Sequence, residues 1–197
     1  MKHDILILAT LLSMLMPVQA AGNDFRKAEE AYMRGDYRTA LKAWKPLAEE
    51  GDLTAQIYLA NMYRKGKGVP LDYKRALKWY TLPAEHGNAV AQYNLGVMYN
   101  FGLGVLQEYK TALKWYSLSA AQGNIYAQYN LGRLYYLGQG VTENIVYAHM
   151  WTNLASSTGF EMSENLKSLV TEQMSPSQIE QAQELARLCV AKNYKSC

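Results

Sequence analysis

Residues 91–96 read Ala91-Gln92-Tyr93-Asn94-Leu95-Gly96, and the same six residue types return at Ala127-Gln128-Tyr129-Asn130-Leu131-Gly132. A more divergent copy precedes them, Ala55-Gln56-Ile57-Tyr58-Leu59-Ala60. Successive copies are 36 residues apart (55 to 91, 91 to 127), and other positions keep that step: Gly51, Gly87, Gly123 and Gly159, and Ala40, Ala76, Ala112 and Ala148. A period of this length marks a tandem array of supersecondary units, each burying its apolar face only against a neighbour. Such arrays display a surface more often than they enclose a reaction chamber.

Each block reads as two helices around a glycine loop. Asn88 sits where an N-cap belongs, with Asp52 and Asn124 in the same phase. Ala91, Leu95, Met98 and Tyr99 then recur at helical spacing as one buried face. Gly102-Leu103-Gly104-Val105 ends the helix, matched by Gly66/Gly68/Val69 and Gly138/Gly140/Val141, where close glycines allow a sharp reversal. The second helix is expected from near Glu108, for which Asp72 is the better cap in the preceding block, to a left-handed C-cap at Gly123. Small residues at fixed phase let backbones approach, and Trp79, Trp115 and Trp151 are expected to fill the space between pairs. The aromatic and β-branched residues follow helical periods, so no strand is expected.

The ends depart from the period. Around Gly35-Asp36-Tyr37 the distance from Ala28 to Ala40 is 12 steps, against 16 from Gly96 to Ala112, so residues 21–51 read as a capping helix pair with a tight turn. Residues 52–160 hold the three repeats. Residues 161–197 read as a helical cap: a helix over 162–173, then Ser175-Pro176-Ser177-Gln178, a capping box with proline at the first helical position, opening a helix to about Ala191.

The first residues differ in kind. Lys2 and His3 precede an apolar run over residues 5–16, then Pro17 and Val18-Gln19-Ala20. A charged start, a short apolar segment and small residues before a cut after Ala20 describe a secretory signal. The mature chain is then expected to begin at Ala21, without a membrane span, in the periplasm or the medium. Cys189 and Cys197 fit an oxidising space. On one unbroken helix they would lie about 12 Å apart, beyond bridging reach. A bridge, favoured over two free thiols, requires the helix to end near residues 192–194 and the tail to fold back.

The pattern Ala-x3-Leu-Gly-x2-Tyr-x2-Gly-x-Gly-Val, followed by Ala-x2-Trp-Tyr and a later Gly, resembles the Sel-one-like (Sel1-like) repeat family, relatives of the tetratricopeptide repeat with a longer inter-helix loop. Residues 91–123 carry the match almost throughout; 55–87 carry it with Ala60 in place of Gly, and 127–159 with Thr152 in place of Tyr. The resemblance implies an all-α fold, a right-handed α-solenoid of antiparallel helix pairs with a C-terminal helical cap, and a role as adaptor or scaffold in the bacterial envelope. A cysteine-rich branch of that family is linked to penicillin binding or β-lactam hydrolysis. This chain has no cysteine inside its repeats, so that enzyme activity is not carried over.

The rest of the composition narrows function further. A net charge of +3 over 197 residues, with basic residues scattered, lacks the footprint of nucleic-acid binding. The three histidines are His3, His86 and His149. His86 takes a tolerant surface slot, and His149 replaces Leu77 and Leu113 in phase, so it is expected at a helix interface. No catalytic constellation is supported by spacing, and neither metal nor cofactor is expected. In tetratricopeptide relatives the concave face comes from the first helix of each pair. That alignment places Val90, Tyr93, Val97, Asn100 and Phe101 on the inner surface, with Thr54, Ile57, Asn61, Arg64 and Lys65 before them and Tyr126, Tyr129, Arg133, Tyr136 and Leu137 after. Exposed aromatics beside Arg have the composition of interface anchors. The expectation is a scaffold that binds a partner protein or peptide there. The alternatives are a cell-wall or glycan-directed protein and a permanent subunit of an envelope assembly.

Overall fold

The computed structural model describes residues 24–194 and Cys197. The expected signal, with its cut after Ala20 and His3, lies outside the described residues. Regular structure among the described residues is entirely helical. The helices are α1 (residues 24–33), α2 (Tyr37–Glu49), α3 (Leu53–Lys65), α4 (Tyr73–Glu85), α5 (Ala89–Phe101), α6 (Tyr109–Ala120), α7 (Ile125–Leu137), α8 (Ile145–Ser156), α9 (Glu161–Thr171) and α10 (Pro176–Ala191). The chain divides into two compact units, one up to Trp79 and one from Tyr80 onward.

In the first unit the capping pair is held by rings. Trp44, fully buried, stacks on Tyr58 with centroids 4.1 Å apart, and Phe25 and Tyr32 close around both. The Tyr58 hydroxyl donates to Glu29 Oε1 at 2.6 Å, and burial, then that bond, pushes its pKa up to about 12. Asp36 follows the tight turn and caps α2 through the Thr39 amide.

Caps define the first helix of every repeat. Asp52, Asn88 and Asn124 accept from the amides of Ala55, Ala91 and Ala127 at 2.7, 3.0 and 3.0 Å. Each satisfies a donor that the helix start would leave unpaired. Asp72 likewise caps α4 through the Arg75 amide, while Glu108 makes no capping bond to α6. The glutamine of the six-residue motif also has a task. Gln56, Gln92 and Gln128 are buried, and each Nε2 donates to the carbonyl eight residues back, on Ala48, Ala84 and Ala120. The start of one repeat thereby satisfies an open carbonyl at the end of the previous helix.

In the second unit α5 packs on α6, α7 on α6 and α8, and α8 on α9 and α10. Two expectations need correction here. The helix ahead of Gly123 ends at Ala120 with a right-handed cap at Ala121; Gly123 takes its positive φ beyond the helix. The fully buried aromatics at the end of the repeat motif are Tyr80 and Tyr116, while Trp79 and Trp115 stay partly exposed. Adjacent helical residues point about 100° apart, so only one of the Trp-Tyr pair can face inward. Trp151 is buried, and Thr152 beside it takes the Tyr phase.

The last helix opens on a cap of its own. Ser175 and Gln178 close a reciprocal capping box with Pro176 at the first turn. α10 ends at Ala191, Asn193 and Tyr194 turn back through φ of 49° and 62°, and the Cα atoms of Cys189 and Cys197 come within 5.3 Å. That separation suits a disulfide.

Candidate interaction surface

A trough of about 450 Å³ opens on the second unit, lined by Tyr93, Val97, Phe101, Tyr126, Tyr129, Asn130, Arg133, Phe160 and Met162. The helical phase of α5 and α7 brings the first seven there; the last two come from the entry to α9. Phe160 is the hub of the wall, standing edge-on to Tyr126 at 5.3 Å and to Tyr129 at 5.5 Å. Tyr93 adjoins Tyr126 at 5.8 Å and the buried Tyr116 at 6.0 Å. Burial, then Tyr93, pushes the Tyr116 hydroxyl far above its usual range, so the group stays neutral. Phe101 is 58% exposed and Tyr126 48%, large apolar areas left open to solvent.

One cation sits among these rings. Arg133 Nη2 donates to Asn100 Oδ1 at 3.1 Å, and its guanidinium carbon lies 5.8 Å from the centre of the Phe101 ring. Asn100 is 1% exposed, which corrects its placement on the open stripe. Its main-chain carbonyl accepts from Gln107 Nε2 at 2.7 Å, while its side-chain oxygen brackets Arg133. Asn130 and Asn94 are similarly turned onto their own helices, donating to Tyr126 O and Val90 O.

The other stripe positions fall outside this trough. Val90 and Leu137 are exposed, and the Tyr136 hydroxyl accepts from Gln173 Nε2 at 2.7 Å. In the first unit Thr54 and Lys65 are exposed, Ile57 and Arg64 half-buried, and Asn61 Nδ2 donates to Ile57 O at 3.0 Å. Burial, then the charges of Arg64 and Lys67, holds the Lys65 ammonium below its ordinary pKa. Phe160 and Met162 were not on the expected stripe. Phe160 closes the last repeat in the phase of the caps Asn88 and Asn124, Met162 lies two residues beyond it, and an aromatic in that cap phase is their only signal.

His86 is exposed, with Nδ1 2.9 Å from Leu82 O. His149 is buried, its Nδ1 lacking a partner among the described residues, and burial followed by the Lys167 charge lowers its pKa. Among the described residues, no group of three His, Cys, Asp or Glu could hold a metal ion, and no helix is long and apolar enough to cross a membrane.

The Sel1 repeat family model matches residues 53–88, 89–124 and 125–160, together more than half of the sequence. The chain belongs to the Sel1 repeat family. None of the curated proteins matches it. Among solved structures, a Sel1 repeat protein from Oxalobacter formigenes is similar with a TM-score of 0.58 and 35% identity, covering 66% of this chain and 97% of that one. A protective antigen present in uropathogenic Escherichia coli strains, displaying an SLR fold, is similar with a TM-score of 0.56 and 26% identity. That match covers 88% of this chain and 46% of the antigen, so this chain spans about half the antigen's length. The fold is thus an all-α solenoid of helix pairs, and Sel1 repeats generally mediate protein–protein interaction.

Proposed function

We propose that this Sel1 repeat protein is a non-enzymatic docking module of the bacterial envelope, periplasmic or secreted, that holds a partner polypeptide in the trough between Tyr93 and Phe160. The observation that carries this reading is the open apolar area of Phe101 and Tyr126 within an aromatic wall. Large rings beside an Arg are the anchors that dominate protein interfaces, and a monomer rarely leaves such rings clustered without use. What supports the compartment is the signal-like stretch of residues 1–20 and the fold-back of the tail, which brings Cys189 and Cys197 within bridging distance.

Photo-crosslinking amino acids at positions 101 and 126, with position 106 as a control outside the trough, test the docking surface in cells. Leu106 is 88% exposed, so it reports collisions alone. One shared adduct at 101 and 126 but not at 106 is expected; adducts confined to 106 would reject the trough. Fusing residues 1–20 to alkaline phosphatase tests export separately, and an inactive fusion would reject the compartment.

A further inference from the structure

The trough contains a cation without its counter-charge. Arg75 and Arg187 each meet a carboxylate three residues away, Asp72 and Glu184. Arg133 is different: among the described residues it makes no ion pair, its one hydrogen bond goes to the neutral amide of Asn100, and none of the residues lining the trough is acidic. Asn100 is itself buried, with its main-chain carbonyl held by Gln107, so the side-chain oxygen that positions the guanidinium stands on fixed backbone. A guanidinium offers five N–H donors in a fork that matches a carboxylate, and here one is spent on Asn100. The same trough is lined by Val97, Phe101, Phe160 and Met162, which can receive an apolar side chain.

We propose that the trough recognises a peptide segment in which an Asp or Glu carboxylate adjoins a large apolar side chain, the carboxylate on Arg133 and the apolar group between Phe101 and Phe160. The inference rests on the trough being the docking surface. Charge complementarity selects the occupant, since a neutral or basic segment would bury Arg133 uncompensated.

The test selects a phage-displayed random peptide library on the purified chain, then measures the enriched peptides by fluorescence polarisation. Enrichment of acidic–apolar pairs is expected. Arg133→Gln should weaken such a peptide at least tenfold, and a peptide with its Asp changed to Asn should bind wild type and Arg133→Gln alike. Enriched peptides without an acidic residue that are lost on Tyr126→Ala would overturn the carboxylate assignment while leaving the docking surface intact. Failure of any peptide to depend on Tyr126 would overturn both. A second arm titrates tri-galacturonic acid; binding that requires Arg133 and is tighter than every selected peptide would reassign the trough to acidic glycans and overturn the proposal. Circular dichroism of each variant confirms that the helices persist.

Discussion

Gly96 on α5 faces the ring of Tyr116 on α6 with no room for a methyl group: a Cβ there would stand 2.5 Å from Cδ1 and 2.6 Å from Cε1. The same contact recurs one repeat later, where a Cβ on Gly132 would lie 2.6 Å from Thr152 Cγ2. Gly96→Ala gains about 1 kcal/mol of helix propensity, against about 1–3 kcal/mol for overpacking a core. Tyr116 is fully buried, so its ring has nowhere to move and the clash wins. We expect a net loss of up to about 2 kcal/mol, read as a lower urea midpoint. Tyr116→Leu should recover part of that loss, so that the double variant costs less than the sum of the singles.

The loop glycines separate two costs. Gly138 and Gly140 both have positive φ, at 63° and 75°. A Cβ on Gly138 would meet Glu143 at an ordinary 3.4 Å, whereas one on Gly140 would lie 2.5 Å from the carbonyl carbon of Tyr109. Gly138→Ala should therefore cost only the left-handed strain, about 1–2 kcal/mol. Gly140→Ala adds a collision with backbone and should cost at least about 1 kcal/mol more. Equal midpoints for the two variants would refute the close-approach explanation.

Much of this architecture is legible in the sequence because its determinants are local and periodic. The caps at Asp52, Asn88 and Asn124, the glycine loops and the turn-back before Cys197 each depend on a few adjacent residues whose conformational preferences are strong. What escapes the sequence depends on contacts between distant segments. Tyr116 rather than Trp115 faces the core because of helix rotation, which composition does not reveal, although Trp44, 72 residues earlier in the same phase, was a usable sign. Asn100 shares a phase with Arg64 and Tyr136, both partly exposed, yet it is buried, its side-chain oxygen on Arg133 and its main-chain carbonyl on Gln107. Phe160, in the phase of the asparagine caps, and Met162, beyond the last repeat, complete the trough, and periodicity gives no sign of either.

Asn124 and Glu108 make a matched pair of caps. Asn124 Oδ1 holds the Ala127 amide at 3.0 Å, while Glu108 spends its carboxylate on the Thr111 hydroxyl. Asn124→Ala should cost about 1 kcal/mol, the usual worth of an N-cap. Glu108→Ala should cost a few tenths at most, as for an exposed position without a cap bond. Chemical denaturation of the two variants side by side gives the comparison.

The Cys189–Cys197 clasp should be worth about 2–3 kcal/mol by loop-closure entropy over so short a loop. It also holds the Tyr194 ring 3.6 Å from the point where a Gly123 Cβ would be, covering the end of α6. Reductant is expected to lower the melting temperature of the wild-type chain and to leave Cys197→Ala unchanged, since that variant has no bridge to lose. A wild-type midpoint indifferent to reductant would show that the thiols are already free.

His149 should make stability depend on pH. It is buried in the phase that Leu77 and Leu113 fill in earlier repeats, and burial, reinforced by the positive charge of Lys167, lowers its pKa below the ordinary 6.5. The unfolded chain therefore binds a proton there more readily than the folded one, and linkage makes stability rise with pH where the two differ. The folded state keeps its full advantage above about pH 6.5 and loses it progressively as pH falls from there towards the depressed folded-state value. His149→Leu removes the titrating group and supplies the side chain used elsewhere in the array. Urea midpoints at pH 7.5 and 5.5 should differ for the wild type by more than for His149→Leu; equal differences would mean that the imidazole is solvated in the native state.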